Sequence, residues 1–145
     1  MWLVALVGII GGVAIAVQAP LASMLNDRMG VLESLFVIHL GGAIFAGVPL
    51  ALAGGGQLAN APQAPWYALC AGIFGLTVVA AMVYMVPRIG VAGAVILIVA
   101  GQISVAALID HFGWLGVPAQ SLDLTRVAGM VLVFVGVWFA VRPAA

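Results

Sequence analysis

The sequence predicts an all-α membrane protein, a bundle of five transmembrane helices. Three observations carry this. The chain of 145 residues is 66% hydrophobic and 6% charged, whereas a soluble domain needs about a quarter charged residues to coat its surface. It divides into apolar runs of about 20 residues, long enough at ~1.5 Å per residue to cross a hydrocarbon core of ~30 Å. Short Gly-, Pro- and polar-rich segments separate those runs. A helix satisfies its own backbone in lipid, and no run shows the strict alternation of a barrel strand. The whole chain, 1–145, reads as a single transmembrane domain.

The first span covers about 2–24. It carries a stripe of small residues (Ala5, Gly8, Gly11, Gly12) and ends in a bend or break near Pro20, because proline removes a helix hydrogen bond. It has no basic residues ahead of it and exceeds the ~7–15 apolar residues of a signal peptide, so it reads as a retained span. Asn26 to Gly30 form a short polar turn. The second span covers 31–53, and an uncharged Gly/Pro-rich loop, 54–65, follows. The third covers 66–86, and Pro87, Arg88, Ile89 and Gly90 read as a four-residue hairpin. The fourth covers 91–110. A second longer loop runs from Phe112 to Thr125, and the fifth span covers 124–141, closed by Arg142 and Pro143.

Five spans place the termini on opposite sides. The N-terminus shares one side with the two longer loops, and the tight turns and C-terminus share the other. Trp2, Trp66, Tyr67 and Trp114 then fall at one interface and Tyr84 and Trp138 at the other, as amphipathic rings do. Three arginines (Arg28, Arg88, Arg142) lie on the tight-turn side and one (Arg126) on the loop side. The positive-inside rule therefore favours the C-terminus in the cytoplasm and the N-terminus outside.

Close approach of small residues does much of the packing between helices in lipid. Candidate seams are Ala68, Ala71, Gly72 and Gly75 in the third span, Gly42–Ala46 and Ala43–Gly47 in the second, and Gly129 and Gly136 in the fifth. They fit ordinary packing within one bundle, or, for the fifth span, a dimer interface.

Polar residues inside the membrane are costly and therefore informative. Gln18, His39, Thr77 and Gln102 lie about eight to twelve residues in from the tight-turn side, a band of roughly 12–18 Å. Facing a common centre, they would line a substrate path as a polar waist; alternatively each satisfies a neighbouring backbone group. Threonine in particular readily bonds its own helix. His39 shares a face with Ala43, Ala46 and Gly47 and points at another helix. It is a candidate for proton coupling, since histidine titrates near neutrality; a neutral, hydrogen-bonded histidine is the plainer reading. Glu33 is the other proton-coupling candidate, although its place in the first turn of its helix suits a carboxylate for the dipole alone. Asp110 and Arg126 read as structural helix-end residues, paired across the 112–125 loop.

Net charge is zero, which argues against nucleic acid as a partner. The single cysteine, Cys70, supports neither a disulfide framework nor a thiol-rich metal site. No phosphate loop, paired catalytic acids or metal-ligand spacing is present, so no catalytic residues, metal or cofactor are expected, and the chain is not read as an enzyme.

Four stretches together carry a family resemblance: QAPLASMLNDRMG in the first turn, then PWYALCAGIFG, VPRIGVAGAVILIVAGQISVAALIDHFGWLGVP and TRVAGMVLVFVGVW. The chain resembles the drug/metabolite transporter (DMT) superfamily, in its small five-span YdcZ-like branch of bacterial inner-membrane proteins. The resemblance covers nearly the whole chain and is most specific from Pro65 to Gly136. It implies half of a ten-helix DMT-type transporter, since larger members carry two five-span repeats of opposite orientation. The partner it implies is a second copy in the opposite orientation or a related five-span chain, the two together in a lipid bilayer moving a small organic metabolite or cation. A non-transporting membrane subunit that stabilises or regulates a partner complex, and a small-ion channel, are the alternatives.

Overall fold

Apolar side chains of this chain point outward. In the computed structural model, which describes residues 1–141, Leu32, Phe45, Phe74 and Leu124 are among many large hydrophobics left exposed. Such a surface is untenable in water and ordinary in lipid. Long runs of residues that need no solvent give long helices: α1 is Trp2–Met29, α2 is Val31–Leu52, α3 is the single turn Trp66–Leu69, α4 is Ala71–Phe112 and α5 is Leu124–Ala140. Short 3-10 turns occupy Leu58–Gln63 and Trp114–Gly116. Arg142 and Pro143, expected to close the fifth span, lie outside the described residues.

The expected polar turns are shorter than the sequence suggests. Helix α1 runs on through Pro20 and through Asn26, Asp27 and Arg28, and only Gly30 leaves it. Proline tolerates this placement because neighbouring groups in a membrane helix re-satisfy the freed carbonyl. Helix α4 likewise runs through Pro87, Arg88 and Ile89, and breaks at Gly90 alone. At 42 residues, α4 would measure about 63 Å unbroken, twice a hydrocarbon core. The break divides it into arms 71–89 and 91–112, each of membrane-spanning length. Cys70 separates the first arm from α3, so the third span has a discontinuity in its first turns.

Both breaks use the same device. Gly30 has φ 94° and ψ 170°; Gly90 has φ 75° and ψ 168°. That combination is essentially closed to residues with a Cβ. Each glycine follows an arginine and one apolar residue, Arg28-Met29 and Arg88-Ile89. The correspondence extends along the helices at an offset of 60 positions. Ala19, Ala22, Ser23 and Ser34 are buried, and so are Val79, Met82, Val83 and Ala94. The two segments thus share the glycine break and four buried positions around it, with small residues in the first and bulkier apolar ones at most of those in the second; buried Gly93 and Ala100 have exposed counterparts in Glu33 and Leu40.

Backbone contacts group the chain into two compact units, 17–84 and 1–16 with 85–145. In the 17–84 unit the core is Ala22, Val79 and Val83, with Leu35 and Ile38 packed against it. Buried residues are mainly small, as close helix approach in lipid requires. They are not the small-residue stripes read from the sequence. A Cβ added at Gly8, Gly11, Gly12, Gly42, Gly47, Gly72, Gly129 or Gly136 would meet nothing within 4 Å. A small-residue stripe marks where a backbone can be approached, and leaves open which helix approaches it.

Candidate functional site

Of Gln18, His39, Thr77 and Gln102, His39 makes the shortest side-chain hydrogen bond. Its Nδ1 lies 2.8 Å from the carbonyl oxygen of Leu35, one turn back on α2. A carbonyl only accepts, so Nδ1 carries the hydrogen and Nε2 of the neutral ring is left as an acceptor. Nε2 points at the first arm of α4, where a Cβ built on Gly75 would stand 3.5 Å from it. Gly75 is thus the near neighbour of the ring on the facing helix, with space for no more than a methyl at ordinary contact.

Thr77, two residues further along that arm, is exposed. Its hydroxyl donates to the carbonyl of Ile73 at 3.0 Å, the intrahelical bond that threonine makes in many membrane helices. Gln18 is half-buried on α1, next to buried Ala19. These three belong to the 17–84 unit, and His39 and Thr77 share the neighbourhood of Gly75. Gln102 belongs to the other unit, on the second arm of α4, and its amide is exposed. Near it Ser104 donates to the carbonyl of Ala100 at 2.8 Å. Glu33 stands in the first turn of α2, exposed, its Oε2 2.9 Å from where a Cβ on Gly30 would lie. A carboxylate in the first turn of a helix suits the dipole, although Glu33 makes no side-chain cap hydrogen bond there.

Asp110 and Arg126 come together at the ends of α4 and α5. Nη2 of Arg126 lies 3.4 Å from Oδ2 of Asp110, a single contact longer than the ~2.7–2.9 Å of a good charge-assisted bond. Asp123, unremarked in the sequence, caps α5 by accepting the backbone N–H of Arg126 at 2.7 Å. The connecting loop is folded tightly: the N–H of Gln120 donates to the carbonyl of Asp110 at 2.7 Å, and Leu115 takes φ 58°, uncommon for a residue with a side chain. Phe112 stacks on Trp114 with ring centroids 4.9 Å apart.

Beneath this ion pair two apolar grooves follow the seam between α5 and the second arm of α4. The larger, of about 420 Å³, runs from Asp110 and Arg126 down past Ala107 and Gly129. The smaller, of about 330 Å³, continues past Val99 and Gly136. Gln18, His39, Thr77 and Gln102 line neither. The sequence marked Gly129 and Gly136 as a seam of the fifth span but not the groove; Ala106 and Ala107, small residues on the preceding helix, are the signal that would have completed it.

Comparison with known proteins gives one match. A family model described as "Putative inner membrane exporter, YdcZ", of the DMT group, matches residues 3–139. No curated protein and no solved structure matches.

Proposed function

The chain belongs to that YdcZ family of the bacterial inner membrane, and from this premise we propose that it exports a small organic metabolite or cation as one half of a paired transporter. Membrane transport is the family's general role. The finer reading rests above all on one observation: uncharged polar side chains, Gln102 foremost, interrupt helices that are otherwise apolar. A side chain that costs free energy in lipid and carries no net charge suits the wall of a path through which solutes pass.

In this reading Gln18, His39, Thr77 and Gln102 line the substrate path. His39, with an acceptor nitrogen turned toward Gly75, is the residue best suited to take up a proton in exchange for substrate, and Glu33 is the second candidate. The two glycine breaks let helices of one unit tilt as bodies, which alternating access requires. The partner is a second copy inserted in the opposite orientation, or a related five-span chain. The tight turns face the cytoplasm and the N-terminus lies outside, or both arrangements coexist in an inverted pair.

Two measurements test this. Purified protein in liposomes, offered a panel of radiolabelled metabolites and organic cations, is expected to move at least one with saturation. Flux of none of them, or flux that rises without saturation as in a channel, would overturn transport by alternating access. In cells, a single cysteine introduced as Arg142→Cys in a Cys70→Ser background is expected to label from the cytoplasmic side, or from both sides for an inverted pair. Labelling from outside alone contradicts the orientation.

A further inference from the structure

We propose that the groove under the Asp110–Arg126 pair is a phospholipid site, one that holds an acyl chain in the seam and a zwitterionic headgroup with a primary ammonium at its mouth. The groove and its mouth lie wholly within the 1–16 and 85–145 unit, and the inference does not depend on what the protein transports.

The walls come first. Ala106 and Ala107 on α4 and Gly129 and Met130 on α5 leave an apolar trough of about 420 Å³, and α5 contributes no buried residue. Water gains nothing in such a trough, since a water needs two to four polar partners. Hydrocarbon fits it. The groove descends seven positions on each helix, from Asp110 to Ile103 and from Arg126 to Val133. That is about 10 Å at 1.5 Å per residue, less than one leaflet of a core ~30 Å thick. A chain lying in it therefore brings its headgroup to the level of the ion pair.

The mouth selects the headgroup. Arg126 and Asp110 are 42% and 31% exposed, and their single 3.4 Å contact is long enough for a third party to enter. The guanidinium presents a fork that matches a phosphate with two parallel bonds. The Asp110 carboxylate beside it is acceptor-only and takes N–H bonds from a primary ammonium. A phosphodiester joined by a short linker to such an ammonium has both charges in the complementary order. A quaternary ammonium has no N–H to give Asp110. A purely anionic headgroup satisfies Arg126 but meets the charge of Asp110. Asp123 is not among the groove's lining residues, and its Oδ1 accepts the backbone N–H of Arg126 at the start of α5.

The test uses the full chain in detergent, with phosphatidylethanolamine, phosphatidylcholine and phosphatidylglycerol of identical acyl chains added in turn and retention read by native mass spectrometry. The expected result is one retained lipid per chain, with the ethanolamine lipid held about fivefold more tightly than the choline lipid, the worth of roughly one hydrogen bond. Asp110→Asn is expected to remove that selectivity, and Arg126→Gln to weaken retention of all three. Gly129→Leu, whose new Cβ meets nothing within 4 Å, fills the trough and is expected to abolish retention. If Gly129→Leu fails to fold, the selectivity of Asp110→Asn still decides. Equal retention of the three lipids by the wild type and by Asp110→Asn would overturn the proposal. So would a lipid-free mass of two chains, which would make a second copy the occupant of the seam.

Discussion

Single residues decide where the helices of this chain stop. Gly30 and Gly90 hold φ/ψ values that cost a residue with a Cβ about 1–3 kcal/mol. At Gly30→Ala the new Cβ would also displace the tip of the exposed Glu33 side chain, 2.9 Å away, a cheap shift beside the backbone cost. Gly30→Ala and Gly90→Ala are each expected to lower stability by about 1–3 kcal/mol, measured by unfolding in mixed micelles. Gly42→Ala, in open space within a helix, is expected to be neutral or slightly stabilising. The fit of His39 against Gly75 gives a second prediction. Gly75→Ala adds a methyl at an ordinary 3.5 Å from Nε2 and is expected to be tolerated. Gly75→Ile would displace the ring, and is expected to cost about 1–3 kcal/mol as overpacking does, read by the same unfolding assay. The sequence placed His39 on a face of small residues of its own helix. Its actual neighbour, Gly75, lies 36 positions away in the sequence, and nothing within α2 points to it.

At the scale of elements, hydropathy alone located the helices, because in lipid the requirement for about 20 apolar residues leaves few alternatives. It placed the ends less well. Polar residues at Asn26–Arg28 and proline at Pro87 read as turns by the rules of water-soluble chains. In the structure they belong to the last turns of α1 and of α4's first arm, since a polar side chain at the end of a span can reach the interface while the helix continues. The 60-position correspondence of buried sites escaped the sequence for a related reason. Small and large residues substitute for one another at those sites, so burial repeats while residue identity does not. Met82 is the largest fully buried side chain, 1% exposed, at the site matching Ala22. Met82→Ala is expected to destabilise by about 2–5 kcal/mol, whereas truncating Phe74, 72% exposed, is expected to change unfolding by far less; the same chemical denaturation compares them.

For the whole molecule, membership of an inner-membrane exporter family meets a chain whose helices are apolar except at a few positions. The class and membrane setting were legible because composition and span length are global quantities that no tertiary detail overrides. The candidate path was legible only as a list of depths, since depth follows from counting residues and facing follows from packing. Gln102 is where the functional reading is most exposed to test. Its side chain is exposed, so Gln102→Ala is expected to insert and fold as the wild type does. The decisive measurement is saturable solute flux in liposomes holding wild-type chain, Gln102→Ala chain, or mixtures of the two at constant total protein. Gln102→Ala alone is expected to lose the flux, and, for the paired transporter proposed, mixtures are expected to fall more steeply than the wild-type fraction. Wild-type flux from Gln102→Ala liposomes would contradict this.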